Sequence, residues 1–305
     1  MAQPDPLWPS LPLDEWQDTY LTLHLWSQIV GKIRMTMSPP LNHWWHSTLY
    51  VNARGLTTSP IPFRDGAFEI QFDFVEHRLE ICTSGGGRRV LPLEPISVAD
   101  FYATLMRALH GMGIEVTFNT KPQEMAVTTP FEEDYEHASY DAVFARRFFQ
   151  VLVSTQNVMQ EFRARFIGKC SPVHFFWGSF DLACTRFCGR QAVPPRKGAI
   201  TGPAYSHEVI SAGFWPGAGF DGPAFYAYSA PAPVGLELET VRPARAGWNS
   251  KLSEFILMYD DVRESESPRD ALLEFLQSTY EAGARLAKWD RAALEAEFAA
   301  QGGAG

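Results

Sequence analysis

The same order of predicted elements occurs twice along the chain of 305 residues, and this repetition constrains the fold more than any other feature. Apolar residues recur at helical spacing over residues 14–37, and Ser38-Pro39 ends that helix. A second long predicted helix, over residues 140–166, is ended in the same way by Ser171-Pro172. The pattern predicts an α+β fold of two similar halves, each an antiparallel sheet with flanking helices. It leaves an internal duplication open as the origin of the halves.

Local signals predict several of the other elements. Residues 68–81 alternate between apolar and polar side chains and predict a β-hairpin. Ser97 and Ser267 are each followed three residues later by an Asp, which is typical of a capped helix start. Residues 114–118 predict one further strand.

The boundaries of the halves follow from a loop-forming stretch between the two long helices. Residues 119–137 lack a regular period and end in a cluster of acidic side chains. We therefore predict a first half over residues 8–125, an acidic connector over 126–138, a second half with loop insertions over 139–290, and a helix end with a flexible tail over 291–305.

The balance of charge argues against nucleic acid and membranes as partners. The chain has 35 acidic and 26 basic side chains and a net charge of −9, without the basic run that binds phosphates. No apolar run approaches the roughly 20 residues that span a bilayer, and the N-terminal residues do not form a secretion signal. We therefore expect a cytoplasmic protein whose ligand is a small molecule.

The cysteines indicate no metal-binding or disulfide framework. Cys82, Cys170, Cys184 and Cys188 form no Cys-x-x-Cys pair and match no zinc-finger spacing. Reduced thiols are the default in the cytoplasm, and buried cysteine usually behaves as a small apolar residue. Cys184 and Cys188 face each other only if the strand turns between them.

Residues 171–187 combine many aromatic side chains with three groups that are costly to bury, His174, Asp181 and Arg186. Charged groups persist in such surroundings when they are paired or shifted in pKa. Both catalytic sites and structural ion pairs are built in this way. The segment therefore marks the place of a candidate site.

A metal site is one interpretation of the histidines and carboxylates. His174 and Asp181, with His207 from a neighbouring predicted strand, are ligand types that suit a divalent metal such as Zn, Fe or Mn. Glu208 is a further candidate, although strand alternation directs it to the face opposite His207. The other interpretation is that the histidines form hydrogen bonds within a polar core.

Metal-free acid–base chemistry is a second interpretation. Residues 44–54 alternate and predict a strand whose polar face includes His46, Tyr50 and Arg54. Arg54, together with Arg186, would bind a carboxylate or phosphate through paired hydrogen bonds. A histidine would move a proton near neutral pH. The alternative is that these polar side chains form the solvent-exposed face of an antiparallel sheet.

Two further features suit a ligand pocket. His24, Gln28 and Lys32 are four residues apart on the first helix and form a polar stripe on an otherwise apolar surface. We expect this stripe to face the same cavity. Trp177 offers a ring for stacking on a planar or cationic ligand, although tryptophans more often form core and pocket walls.

Five longer segments are distinctive. They are TLHLWSQIVGK (22–32), NHWWH (42–46), RGLTTSPIP (54–62), SPVHFFWGSFDL (171–182) and AYSHEV (204–209). On these segments, and over about residues 8–290, the chain resembles a family of bacterial proteins catalogued only as a domain of unknown function. The resemblance implies a cytoplasmic bacterial protein, and it implies no reaction, cofactor or catalytic residue.

The expected function is an enzyme that acts on a small polar or anionic metabolite in a pocket between the halves, by acid–base or metal-assisted chemistry. The predicted catalytic residues are His174, Asp181, His207, Glu208 and His46, and the predicted substrate-binding residues are Arg54, Arg186, Tyr50, Trp177, His24 and Gln28. One alternative is a non-catalytic binder of an aromatic or anionic small molecule. Another is a structural subunit whose polar groups only join the halves.

Overall fold

The computed structural model describes residues 7–193, 201–217 and 222–296. It has an α+β fold with two antiparallel sheets of six strands each, which confirms the predicted fold class. The chain divides into two compact units: unit 1 comprises Met1–Val153 and His174–Asp181, and unit 2 comprises Ser154–Val173 and Leu182–Gly305. The domain boundaries given above and an origin by duplication stay predictions.

Unit 1 contains helices α1 (Leu13–Met37) and α2 (Val98–Gly111) and the first part of α3 (Ala142–Ala164). Its strands are β1 (Tyr50–Val51), β2 (Gly55–Thr57), β3 (Ile61–Phe63), β4 (Gly66–Asp73), β5 (Arg78–Thr83), β6 (Arg88–Pro92) and β7 (His174–Phe176). The first six form one sheet in the order β1-β2-β4-β5-β6, with β3 paired to β4.

The predicted hairpin is formed by β4 and β5, which are antiparallel from Phe68↔Thr83 to Asp73↔Arg78. Alternation buries one face of β4, namely Phe68, Ile70 and Phe72. At the turn, the Asp73 carboxylate accepts hydrogen bonds from the backbone N–H groups of Val75 and Glu76, each at 3.0 Å. These bonds fix the reversal of the chain.

Unit 2 contains strands β8 (Asp181–Gln191, of which Asp181 itself belongs to unit 1), β9 (His207–Trp215), β10 (Ala224–Ala230), β11 (Gly247–Asn249) and β12 (Glu254–Met258), which pair in the order β11-β12-β10-β9-β8. Its helices are α4 (Thr201–Ala204), α5 (Tyr259–Arg263), α6 (Pro268–Leu286) and α7 (Arg291–Leu294). Phe214 of β9 and Phe225 of β10 are fully buried opposite each other in the register.

The two capped helix starts are confirmed. The Ser97 hydroxyl accepts a hydrogen bond from the Asp100 N–H at 3.0 Å at the start of α2. The Ser267 hydroxyl does the same for the Asp270 N–H at the start of α6, at 3.4 Å. Pro268 occupies the first turn of α6, where its missing N–H removes no helical bond.

Two predicted strands are wrong. The strand predicted over residues 44–54 is preceded by a 3₁₀ turn over Asn42–Trp44, in which His43 and Trp44 have left-handed φ values of 55° and 62°. The Ser47 and Thr48 hydroxyls donate to the carbonyls of Trp44 and Trp45, at 2.8 and 3.3 Å. Local side-chain bonds of this kind compete with a strand ladder, and only β1 forms in this segment.

The segment at 114–118 also differs from its prediction, because it forms no strand in the structure. The Ile114 N–H bonds to the Leu109 carbonyl at 3.0 Å and completes the end of α2. Ile114 itself is buried. The apolar side chain of Ile114 is therefore buried at the end of α2 and not in a sheet.

Parts of the predicted loops lie outside the described residues. Residues 188–204, rich in Gly, Pro and basic side chains, are one of the loop insertions predicted for the second half. They are described up to residue 193 and again from α4 onward, and the prediction is wrong at their start, where β8 extends through Gln191. Residues 213–233, which combine aromatic side chains with turn-forming residues, are a second predicted insertion; they are described except for residues 218–221 and include the end of β9 and the whole of β10. The predicted flexible tail lies outside the described residues from 297 onward. In the part of the chain that is described, the helices lack a stretch both long and apolar enough to cross a membrane.

Candidate functional site

A buried carboxylate, Asp181, lies at the centre of the candidate site in unit 1. It follows the turn after β7, in which Phe180 adopts a left-handed φ of 58°. Asp181 is 7% exposed, and the Ser179 hydroxyl donates a hydrogen bond to its Oδ1. The turn therefore holds a negative charge in largely apolar surroundings, where its effect on neighbours is strong.

Two ionisable groups face this charge. Burial, followed by the negative charge of Asp181, raises the pKa of the Glu124 carboxyl above its usual value. The same two causes, in the same order, raise the pKa of the Tyr20 phenol. Asp181 and Glu124 therefore form a pair of interacting carboxyl groups, and Glu124 keeps its proton to a higher pH than an ordinary glutamate. Enzymes that use one carboxyl as an acid and another as a base contain pairs of this kind.

The Glu124 carboxyl is desolvated although the residue as a whole is exposed. The carboxyl packs against Gly178, where an added Cβ would lie 3.0 Å from Glu124 Cδ and Oε1. Glu124 also has a left-handed φ of 59°, which is uncommon for a residue with a side chain. Both features fix the direction of the carboxyl toward the turn that carries Asp181.

His24 of α1 supports the same turn. Its Nε2 lies 2.9 Å from the Gly178 carbonyl, so we assign Nε2 as the protonated nitrogen that donates this bond. Burial lowers the pKa of His24 to about 4, against the hydrogen bonds that favour its charged form. His24 is therefore neutral at physiological pH and holds the turn in place.

Gln28 and Lys32 hold the segment on which Glu124 lies. Gln28 is fully buried, accepts from the Gln123 N–H at 2.9 Å and donates to the Gln123 carbonyl at 2.8 Å. The Lys32 ammonium donates to the carbonyls of Asn119 and Lys121, at 2.8 and 2.5 Å. Burial lowers the pKa of Lys32 to about 8. The predicted stripe on α1 thus positions both segments that form the carboxyl pair.

Trp177, which lies in the same turn as Gly178, holds that turn through one hydrogen bond and one packing contact. The Trp177 indole N–H donates to the Ser47 carbonyl at 2.6 Å, and the ring is buried. It lies directly against Gly31 of α1, where an added Cβ would overlap ring atoms. In the described contacts Trp177 packs as a wall, and its role in ligand stacking stays a prediction.

His174 and Tyr50 of unit 1 contact each other, and His46 lies in the segment that precedes β1. The Thr48 hydroxyl lies 2.9 Å from His174 Nδ1, and the Tyr50 ring centroid lies 5.5 Å from that of His174. His46 Nδ1 accepts a hydrogen bond from the Leu41 N–H at 3.1 Å. Burial, which is the largest cause, lowers the pKa of His46. The catalytic roles of these histidines stay predictions.

Arg54 lies on the edge of the unit 1 sheet. Its guanidinium contacts the buried Asp73 carboxylate at 2.7 Å and the exposed Glu76 carboxylate at 3.6 Å. These ion pairs connect Arg54 to the turn between β4 and β5. The structure thus gives Arg54 partners within the protein, and substrate binding by Arg54 stays a prediction.

Glu208 and His207 lie at the start of β9 in unit 2. Three groups converge on Glu208 Oε2: the Arg190 guanidinium at 2.6 Å, the Trp289 indole N–H at 3.2 Å and the Cys188 thiol at 3.4 Å. His207 Nδ1 lies 3.0 Å from the Ser206 hydroxyl. Glu208 is therefore the centre of a hydrogen-bond network in unit 2.

Arg186 of β8 is completely buried in unit 2. Its guanidinium carbon lies 3.4 Å from the Phe162 ring centroid and 4.2 Å from that of Tyr280. One guanidinium nitrogen donates to the Phe162 carbonyl. Burial lowers the pKa of Arg186 to about 10, so it is a cation at neutral pH among aromatic rings.

The expected metal was assigned to His174, His207 and Asp181. Across residues 7–193, 201–217 and 222–296, no three or more His, Cys, Asp or Glu side chains are grouped in a way that could hold a metal ion. A metal bound by the three named residues stays a prediction.

An open cavity of about 430 Å³ lies in unit 1 beside the start of α3. It is lined by Pro9, His77, Ala142, Val143, Arg146, Arg147 and Gln150. The lining contains two arginines and no carboxylate, so its charge suits an anion. The cavity has the size of typical small-molecule sites.

The sequence analysis missed Glu124 and Tyr20. Glu124 lies in the irregular stretch over 119–137 that the sequence predicts as a loop, and Tyr20 lies among the apolar residues of α1. The available signal was the stripe of His24, Gln28 and Lys32, because three polar groups on an apolar helix face require partners. Those partners are the backbone groups around residues 119–123 and 178.

Comparison with known proteins shows the family of the chain. A family model described as a family of unknown function, DUF5996, matches residues 8–296. No curated protein and no solved structure matches the chain. The resemblance stated from the five sequence segments is confirmed at the level of the family. The chain therefore belongs to DUF5996, a family of unknown function.

Proposed function

We propose that this protein is an enzyme that transfers protons to and from a small polar metabolite, with Asp181 and Glu124 as its acid–base pair. The observation that carries the proposal is the placement of the Glu124 carboxyl against Gly178, beside the buried charge of Asp181. Two carboxyl groups in one site are a recurrent solution for acid–base catalysis.

The two carboxyl groups differ in their surroundings and therefore in their roles. Asp181 is buried and accepts a hydrogen bond from Ser179, so it is the base that removes a proton. Glu124 has a raised pKa and lies on an exposed residue, so it is the acid that donates a proton to the substrate. His24, Gln28 and Lys32 are positioning residues, because their hydrogen bonds hold the two segments that carry the carboxyl groups.

A second candidate function is the non-catalytic binding of an anionic small molecule. The observation in its favour is the cavity of about 430 Å³ beside α3, which is lined by Arg146 and Arg147. Guanidinium groups bind carboxylates and phosphates through paired hydrogen bonds. In this case the carboxyl pair would be structural.

One experiment separates the two functions. A panel of small polar and anionic metabolites is incubated with the protein, and thermal shift and turnover by mass spectrometry are both measured. The enzyme proposal expects turnover that Glu124→Gln and Asp181→Asn each reduce by about 100-fold or more, while the exposed control Glu133→Gln leaves it unchanged. Binding without turnover that Arg147→Gln removes, and that the exposed control Arg107→Gln keeps, would support the binder and overturn the enzyme.

The remaining expectations about the protein's setting are also proposals. We infer a cytoplasmic bacterial protein from the resemblance carried by the five sequence segments. We infer a small-molecule ligand, without nucleic-acid or membrane partners, from the net charge of −9 and the absence of a basic run. We infer an internal repeat from the matched helix starts at Ser97 and Ser267, which cap α2 and α6 in the same way.

A further inference from the structure

Cys170 and Cys184 of unit 2 lie side by side, with their Sγ atoms 3.7 Å apart. Cys184 is on β8, and the segment before β7 runs antiparallel to it, with a bridge between Cys170 and Arg186. The Ser171 N–H donates to the Thr185 carbonyl at 2.8 Å and keeps the two segments in register. The thiols are therefore diagonal neighbours on one face of a paired backbone.

The two thiols differ in access. Cys184 is completely buried, whereas Cys170 is half-buried and reaches the surface. A small oxidant from solvent therefore meets Cys170 first. The partner thiol lies next to it, and the two sulfurs must approach from 3.7 Å to the roughly 2 Å of a disulfide bond.

The charged groups around Cys170 favour its thiolate. Arg163 of α3 and Arg186 of β8 both act on it, and the Arg163 guanidinium is fixed by the Ser171 carbonyl at 2.6 Å. Arg186 has two buried guanidinium nitrogens without a hydrogen-bond partner among the described residues. The groups that most favour its charge are, in order, Cys184, Cys170, Tyr280 of α6 and Glu295. A thiolate is thus a natural counter-charge for this arginine.

The acidities of the two thiols agree with this geometry. The hydrogen bond from Cys184, followed by the two arginines, lowers the pKa of Cys170 to about 7. Burial raises the pKa of Cys184. Cys170 is therefore the nucleophile and Cys184 the neutral thiol that donates to it.

We propose that Cys170 and Cys184 are a reactive thiol pair that hydroperoxides oxidise to an intrachain disulfide. The Cys170 thiolate attacks one peroxide oxygen, the S–O bond forms, the O–O bond breaks, and hydroxide leaves. The Cys184 sulfur then attacks the Cys170 sulfur, the S–S bond forms, and the sulfenic oxygen leaves as water with the Cys184 proton. The two thiols lose two electrons, which reduce the peroxide. A dithiol reductant reverses the reaction.

The chain contains a matched control in Cys188. It lies on the same strand as Cys184, but its thiol donates to the Glu208 carboxylate at 3.4 Å. Burial, the largest cause, and Glu208 raise the pKa of Cys188, against hydrogen bonds from Arg190 that lower it. The pKa values of the two half-buried thiols are thus shifted in opposite directions, and their reactivities are measured in the same sample.

The first test uses the reduced wild-type protein. It is alkylated with iodoacetamide at neutral pH, and the modification of each cysteine is followed by peptide mass spectrometry. We expect Cys170 to react about tenfold faster than Cys188, because a thiol of ordinary acidity is only a few per cent thiolate at this pH. Arg163→Gln should slow Cys170, and Arg165→Gln, an exposed control on the same chain segment, should not. Equal rates at Cys170 and Cys188 would overturn the proposal.

The second test uses hydrogen peroxide at a slight excess over protein. Wild type and Cys188→Ser should yield a Cys170–Cys184 disulfide that dithiothreitol removes. In Cys184→Ser, Cys170 should instead stop at a sulfenic acid that dimedone traps, and in Cys170→Ser, Cys184 should remain a thiol. The result for the wild-type protein does not depend on whether any of the variants folds. A wild-type protein that keeps both thiols reduced, or that oxidises Cys188 first, would contradict the proposal.

Discussion

At the scale of single residues, burial rather than ion pairing decides the protonation of the groups in unit 1. His24, Lys32 and Glu124 differ in type, yet burial is the largest cause of the pKa shift in each and favours the neutral form. Asp181 adds its charge to the burial of Glu124. A carboxyl that is neutral over a wider pH range beside one that carries charge is the condition for an acid–base pair.

The first prediction concerns the Glu124 carboxyl. Asp181→Asn should lower the pKa of Glu124 only partly toward its usual value, because the variant removes the second cause of the shift and keeps the first. The carboxyl ¹³C shift of Glu124, titrated by NMR and assigned by its loss in Glu124→Gln, measures the change. Asp65→Asn, which removes an exposed carboxylate from a turn of the same unit, is the control. An unchanged Glu124 titration in Asp181→Asn would show that the two carboxyls do not interact.

At the scale of elements, the close approach of one aromatic ring helps to fix the position of α1 in unit 1. The Trp177 indole lies against Gly31, and it is held there by the hydrogen bond to the Ser47 carbonyl. On the same helix, His24 and Gln28 bond to backbone on either side of the site. Packing of α1 and geometry of the carboxyl pair are therefore coupled.

The second prediction tests this packing. Gly31→Ala should lower the free energy of unfolding by about 2–3 kcal/mol, because the new methyl overlaps the Trp177 ring and forces one element to move. The matched control is Gly111→Ala at the end of α2, where an added Cβ meets nothing within 4 Å. That change should be neutral or stabilise by up to about 1 kcal/mol, since alanine favours helix. Urea unfolding of both variants gives the comparison, and a neutral Gly31→Ala would contradict the assigned contact.

Elements that depend on a single local signal were predictable from the sequence, and an element in which two local signals compete was not. The caps at Ser97 and Ser267 need only the following Asp, and both formed. Residues 44–54 alternate like a strand, but the bonds of Ser47 and Thr48 to nearby carbonyls redirect the backbone. The alternation of side chains does not show that competition.

A different limit applies to the candidate site, where the missing information is a partner far along the chain. Asp181 was predictable because a carboxylate in an aromatic segment is conspicuous on its own. Glu124 was not, because its chemistry comes from Gly178, 54 positions further along the chain, which leaves room for the carboxyl. No local pattern around Glu124 indicates that approach. The sequence therefore indicated Asp181 as a site residue but did not indicate Glu124.

At the scale of the whole molecule, stability should depend on pH through His24. The pKa of His24 is about 4 in the folded protein and near its ordinary value of 6.5 in the unfolded chain. The unfolded chain therefore binds a proton first as the pH falls, and the folded state loses stability between pH 6.5 and 4. The full effect is about 3 kcal/mol for a shift of this size at a buried site.

The third prediction isolates this effect from the other titrating groups. His24→Gln keeps an N–H donor for the Gly178 carbonyl and has no proton to gain, so its stability should fall less than that of wild type over the same pH window. Because acidic groups elsewhere titrate in both proteins, the difference between the two unfolding free energies reports His24 alone. Urea unfolding at steps of pH, followed by tryptophan fluorescence, measures that difference. A constant difference across the window would mean that His24 is not held neutral, and the turn carrying Asp181 would then face a cation instead of a neutral donor.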